Sequence, residues 1–159
     1  MLVELPELTV PLDVEDLFYK LQLQGVRPIL VHPERNAQIQ SRPSIVGDFV
    51  EKGIFIQVTA MSITGEFGSV AKQCAETLLK HNCVHFLATD CHRPERRPPI
   101  LSKARDAAVR IVGDEVARKL VYDNPLAVVN GERVVAQPII PFDPAKKRQR
   151  SSFFSRIFR

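Results

Sequence analysis

Four short apolar runs, at residues 1–4, 28–32, 54–59 and 84–90, each close on polar residues and predict buried strands. The segments between them carry helical spacing instead. Val14, Leu17, Phe18 and Leu21 fall on one face, with Asp13 as the expected N-cap and Gly25 as the stop. Ile45, Val46, Phe49 and Val50 predict a shorter helix ending near Gly53. Ala71, Cys74, Ala75, Leu78 and Leu79 predict a third, running to about Asn82. Two more helices are expected over 102–112 and 114–122, the latter stopped by Asn124-Pro125. The apolar residues of 126–129 and 133–136 flank Asn130-Gly131 and predict a small hairpin.

Strands alternating with helices imply βαβ units, hence an α/β fold with a parallel sheet or barrel. In such folds ligands bind at the carboxyl ends of the strands. Glu4, His32, Thr59 and Asp90 each stand at or just past the end of a predicted strand. Their repetition in successive units marks that end as the place for chemistry.

Composition narrows the functional classes. A chain of 159 residues makes one domain, and no uncharged apolar run approaches the ~20 residues that span a bilayer. The N-terminus does not read as a signal peptide, because Met1–Val3 leads straight to Glu4. Three cysteines, Cys74, Cys83 and Cys91, match no zinc framework and suggest no disulfide, which points to a reducing cytoplasm. The net charge is +4, but Lys146, Lys147, Arg148, Arg150, Arg156 and Arg159 supply six positive charges beyond Asp143 with no acid among them. The body is therefore net −2, and a nucleic-acid partner is not expected. Residues 1–143 are read as the folded domain and 144–159 as a basic, Phe-containing tail. That tail suits peripheral contact with an anionic membrane surface, the alternative being a solvated coil.

The candidate chemistry centres on Asp90-Cys91-His92. In an extended chain residues two apart project to one side, so Asp90 and His92 would grip one metal ion. A carboxylate with an imidazole suits manganese, iron or zinc. His32-Pro33-Glu34-Arg35 follows its strand directly, with Pro33 stiffening the turn and Arg35 free to reach an anion; the alternative is a strand end with a surface Glu-Arg pair. Arg93, Arg96 and Arg97 precede Pro98-Pro99, and an arginine near a metal suits phosphate because its planar fork binds two oxygens. Cys91 and Arg97 also satisfy Cys-x5-Arg, the phosphate loop of cysteine-dependent phosphatases. Pro94 would remove one donor from that loop, no glycine relaxes it, and Pro98-Pro99 follow where a helix should begin.

Leu2-Val3-Glu4-Leu5-Pro6, Leu30-Val31-His32-Pro33-Glu34-Arg35 and Thr89-Asp90-Cys91-His92 with Arg96-Arg97-Pro98-Pro99 resemble the PHP (polymerase and histidinol phosphatase) superfamily. The likeness is to its bacterial branch of capsule- and exopolysaccharide-associated tyrosine phosphatases, and Gln57-Val58-Thr59-Ala60 and Asn124-Pro125 with Asn130-Gly131-Glu132 also fit that branch. The resemblance implies a distorted (β/α)7 barrel with divalent metals, often manganese, at its mouth. It implies Glu4, His32, Asp90 and His92 as metal ligands, and Arg35 and Arg97 as the phosphate-holding catalytic pair, Arg97 being preferred to Arg96 for its distance after His92. The family opens with a His-x-His strand that does not occur in residues 1–143, which are expected to be the C-terminal part of the barrel, with exposed strand edges that favour homo-oligomers.

The implied activity is hydrolysis of phosphotyrosine proteins by metal-activated water. The implied partner is a tyrosine kinase of polysaccharide export, and the implied location the cytoplasm, at the inner face of the membrane. The alternatives are a catalytically incomplete module that binds phosphoproteins, and another phosphoesterase of the same superfamily.

Overall fold

The computed structural model describes residues 1–93, 95 and 97–142. The expectations for Pro94, Arg96 and the basic tail from residue 144 lie outside the described residues. Among the described residues four strands form, β1 (Leu2–Val3), β2 (Ile29–Val31), β3 (Phe55–Thr59) and β4 (Phe86–Ala88). All are parallel and pair in the order β1-β2-β3-β4. Consecutive strands lie side by side, with no reversal of order to make the switch point of a doubly wound sheet. That order is the one found along the wall of a β/α barrel.

Helices fill the connections, and their apolar faces build the core. The first is α1 (Val14–Leu23), followed after β2 by α2 (Ala37–Ser41) and α3 (Ser44–Glu51). Phe18 of α1 meets Phe49 of α3 edge to face at 5.5 Å. After β3 come α4 (Ala60–Thr64) and α5 (Ser69–Lys80), whose Cys74, Ala75 and Leu78 are buried. The helix α6 (Ser102–Val112) packs through Ala104 and Ala108. Leu30, Ile56, Val58 and Leu87 join this main core, while Ile29, Phe55 and Phe86 form a second cluster with Val134. The split follows from strand alternation. Both faces of β2, β3 and β4 are therefore largely buried, which suits their mainly apolar sequences, whereas Leu2 of β1 is exposed.

Four helical expectations hold in place, and Gly25 and Gly53 stop α1 and α3 with φ of 76° and 82°. Asp13 precedes α1 without making a side-chain capping bond. The expected stop at Asn124-Pro125 and the hairpin after it are wrong. The chain continues from α7 (Asp114–Arg118) through a π-helical turn (Lys119–Asp123) into α8 (Asn124–Val129). Pro125 lies in the first turn of α8, directly past the π-helical turn, and does not stop the helix. Asn130-Gly131 then ends that helix, Gly131 having φ 70°. Beyond it the described residues add no strand. The chain crosses back so that Ile140 N–H donates to His81 O (3.0 Å), and Phe142 stacks on the His81 ring at 3.9 Å. Phe142 also covers Gly47, where an added Cβ would meet its ring at 2.9 Å. The described helices include none long and apolar enough to cross a membrane.

Candidate active site

The residues past the carboxyl ends of β1, β2 and β4 form one mouth. At the β2 end, His32 adopts a left-handed conformation, φ 39°, directly after the strand. Its N–H still donates to Gln57 O of β3 at 2.8 Å, so the turn begins inside the sheet ladder. A 3-10 turn over Pro33–Arg35 follows, with Pro33 in its first position. His32 Nε2 lies 3.1 Å from Glu4 Oε1, just past β1. Asn36 then ties the corner down: Oδ1 accepts from Ile39 N–H (2.9 Å), and Nδ2 donates to Pro6 O (2.7 Å) and Thr9 O (3.0 Å).

Glu34 overturns the reading of a surface Glu-Arg pair. It is fully buried, and its Oε1 accepts from Ser62 Oγ (2.6 Å) and Thr59 N–H (3.0 Å). Burial pushes its carboxyl up to about 7, against the pull of the Ser62 and Thr59 bonds. Glu34 Oε2 and Thr59 Oγ1 are buried without a hydrogen-bond partner among the described residues. The acid that the sequence suggests as solvated is thus the peg holding the turn to the start of α4.

At the β4 end, Asp90 repeats the left-handed turn, with φ 51°. The strand ends at Ala88, so Asp90 and His92 are not brought together by strand alternation as expected. They meet because the chain curls back, placing His92 Nδ1 2.7 Å from Asp90 O. Arg97 Nη1 lies 3.1 Å from the same Nδ1; a proton on Nδ1 for the carbonyl would leave Nε2 its lone pair, the arrangement typical of metal-binding histidines. Arg97 Nη1 lies 2.6 Å from Asp90 Oδ2 and 3.1 Å from Asp90 O. Arg35 Nη1 reaches the same Asp90 Oδ2 at 3.7 Å. Both arginines and Asp90 are largely covered, at 27%, 20% and 23% side-chain exposure for Arg35, Arg97 and Asp90.

The six expected site residues therefore occupy one end of the sheet in two groups. Glu4 pairs with His32, and Asp90 gathers His92, Arg97 and Arg35. Among the described residues no three His, Cys, Asp or Glu side chains come close enough to hold a metal ion. The donor types fit a divalent ion, each group supplying one carboxylate and one imidazole, but each supplies only a pair. Cys91 is exposed beside this cluster, whereas burial pushes the Cys74 and Cys83 thiols up to about 12.

Sequence reasoning missed three contributors: Glu34 as an anchor, Asn36 as a clasp, and Phe67. The Arg35 and Arg97 guanidinium carbons lie 5.0 and 5.2 Å from the Phe67 ring centroid. An aromatic residue in Gly65-Glu66-Phe67-Gly68, following a strand end, was the available signal.

Residues 1–130 match the family model for capsular polysaccharide synthesis, CpsB/CapC. The chain belongs to the CpsB/CapC family. Similar family members include the tyrosine-protein phosphatase YwqE of Bacillus subtilis, 34% identical over 154 residues, which are 97% of this chain and 59% of YwqE. The tyrosine-protein phosphatase CpsB of Streptococcus pneumoniae is 26% identical over 110 residues, 66% of this chain and 45% of that protein. Crystal structures of YwqE and CpsB, metal-dependent tyrosine phosphatases, supply a match with TM-score 0.83 at 34% identity, covering 88% of this chain and 56% of the other. The CpsB/CapC chain described here thus spans between 45% and 59% of the length of these relatives. The branch inferred from the strand-end motifs is the one that the comparisons support.

Proposed function

We propose that this chain is a metal-dependent phosphotyrosine-protein phosphatase of capsule or exopolysaccharide synthesis. The observation that carries the reading is the convergence of Arg35 and Arg97 on Asp90, at the strand ends of a chain whose relatives are named tyrosine phosphatases. In the proposed roles Glu4, His32, Asp90 and His92 hold divalent metal, manganese in preference to iron or zinc. Metal bound there would supply a water activated at neutral pH and neutralise charge on the attacking and leaving oxygens. Arg35 and Arg97 bind the phosphoryl oxygens through planar forks and hold them as charge redistributes. A tyrosine leaving group has a pKa of ~10 and needs less protonation than an alkyl alcohol. The substrate is a phosphotyrosine protein, proposed to be an autophosphorylated kinase of polysaccharide export. The proposed location is the cytoplasm at the inner membrane face, with the tail from residue 144 as the membrane contact.

One observation favours a second reading, a module that binds phosphoproteins without turnover. The expected metal ligands fall into two pairs rather than one larger set. Hydrolysis of p-nitrophenyl phosphate and of a phosphotyrosine peptide, with added Mn²⁺, separates the readings. Phosphatase function requires Mn²⁺-dependent turnover that Asp90→Ala and His32→Ala both abolish. Absent turnover, with retained affinity for the phosphopeptide, would select the binding module. A second copy completing the site would show as turnover that rises faster than protein concentration.

A further inference from the structure

We propose that Phe67 is a positioning residue that holds Arg35 and Arg97 as the two arms of one oxyanion clamp. The inference rests on the reading of those arginines as phosphate-binding. Two cations directed at one small anion repel each other before the anion arrives, so their convergence needs a compensating surface. Asp90 is one such surface. Phe67 is the other, because the negative face of its ring attracts a guanidinium at the separations found here, 5.0 Å for Arg35 and 5.2 Å for Arg97. It does so without occupying the N–H donors along the guanidinium edge, which stay available for oxygen.

The setting of Phe67 suits a platform better than a core side chain. It is half-buried and belongs to neither core cluster. It sits in a closed turn in which Glu66 and Phe67 N–H both donate to Met61 O, at 2.9 and 3.3 Å, and Gly68 N–H donates to Gly65 O at 3.0 Å. Gly65 and Gly68 have φ of 93° and 91°, conformations that favour glycine. That turn ends α4, whose Ser62 bonds Glu34, the residue next to Arg35. The ring and the first arginine are thus referred to the same buried carboxylate. Arg97 arrives from a different connection, and Phe67 is where the two meet.

The chemistry predicts a loss that apolar bulk does not restore. Phe67→Leu keeps volume and removes the ring face, whereas Phe67→Trp keeps a face of greater electron density. The experiment is calorimetric titration of inorganic phosphate into the whole chain with Mn²⁺ present, together with a melting temperature for each variant. We expect phosphate to bind about tenfold more weakly to Phe67→Leu, equivalent to two exposed cation–π contacts, at an unchanged melting temperature. Phe67→Trp should bind as wild type does. Wild-type affinity in Phe67→Leu would overturn the role of Phe67 and leave the phosphatase reading standing. Equal weakening in both variants with a lowered melting temperature would overturn it in favour of simple packing. A wild-type chain that binds no phosphate would overturn the phosphate role of the arginines, and this inference with it.

Discussion

Past β2 the chain turns at His32 with φ 39°, and the next acid, Glu34, drops into the core; past β4 it turns at Asp90 with φ 51°, and the acid stays at the mouth. The two corners share a backbone device and differ in what holds it. The β2 corner is fastened from below by Ser62, Thr59 and Asn36. The β4 corner is fastened by the charges that are proposed to do chemistry, Arg97 and Arg35 on Asp90. The difference teaches that fold and function should separate by mutation at one corner and stay joined at the other.

The largest effect is expected at Glu34. Replacing it by alanine strands the Thr59 N–H and Ser62 hydroxyl in the core and leaves a cavity. A stability loss of about 3 kcal/mol in urea titration is expected. Glu34→Gln keeps an acceptor for both donors and removes a carboxyl that burial disfavours when charged, so it should cost less than about 1 kcal/mol at pH 7. An alanine variant as stable as wild type would show that the β2 corner does not depend on its peg.

Asp90→Asn tests the other corner. Asparagine tolerates a left-handed backbone as well as aspartate does, so the turn should survive. The partly exposed ion pairs that it loses are worth under about 1 kcal/mol. Phosphate-ester turnover, by contrast, should fall by about 100-fold or more, as expected when a charged group at a reaction centre is neutralised. A variant that unfolds at the same time would mean that this corner is structural too.

The third effect depends on pH and uses two buried titratable groups, Glu34 past β2 and His85 before β4. Glu34, raised from 4.5 to about 7, stabilises the fold below pH 4.5, and that contribution is lost as pH rises to about 7. His85 just precedes β4, and its Nδ1 accepts from Ile56 N–H. Burial lowers it from 6.5 to about 4, so its contribution is complete above pH 6.5 and is lost as pH falls toward 4. Between pH 4.5 and 6.5 the two slopes oppose, and wild-type stability should change little through these groups. Glu34→Gln removes one slope and should lose about 2 kcal/mol between pH 6.5 and 4.5, read from urea midpoints at each pH. A flat profile in that variant would show that His85 titrates normally.

How much of this was visible in the sequence follows from how local each cause is. The strands were legible as short apolar runs ending at Glu4, His32, Thr59 and Asp90, and in β2, β3 and β4 burial on both faces is the cause. The five-residue helices α2 and α4 were not, being too short to show a period. The hairpin failed because Asn130-Gly131 between apolar residues serves a helix end as readily as a strand turn. The placement of the six candidate residues at one end of the sheet was legible, but their division into two groups was not, and the alternative that set Glu34 in a surface pair failed. The charge of Glu34 was visible, while its partners Thr59 and Ser62 lie 25 and 28 residues further on. Phe67 was missed for the same reason, since Arg35 and Arg97 approach it from separate connections.

The smallest effect concerns Cys91, next to Asp90 in the β4 corner. If the Cys-x5-Arg spacing were the working site, the thiolate would be the nucleophile and Arg97 its phosphate ligand, and serine there would abolish turnover. Arg97 pairs with Asp90 through Oδ2 and O, and Cys91 is exposed beside that pair. Asp90 and His92, one residue to either side, meet through the Asp90 carbonyl without using the sulfur. Cys91→Ser should therefore keep Mn²⁺-dependent turnover within about twofold of wild type, since it changes one surface atom outside that contact set. Loss of turnover with Mn²⁺ present would move the nucleophile to sulfur and replace the proposed metal-binding role of the β4 corner with that of a thiolate loop.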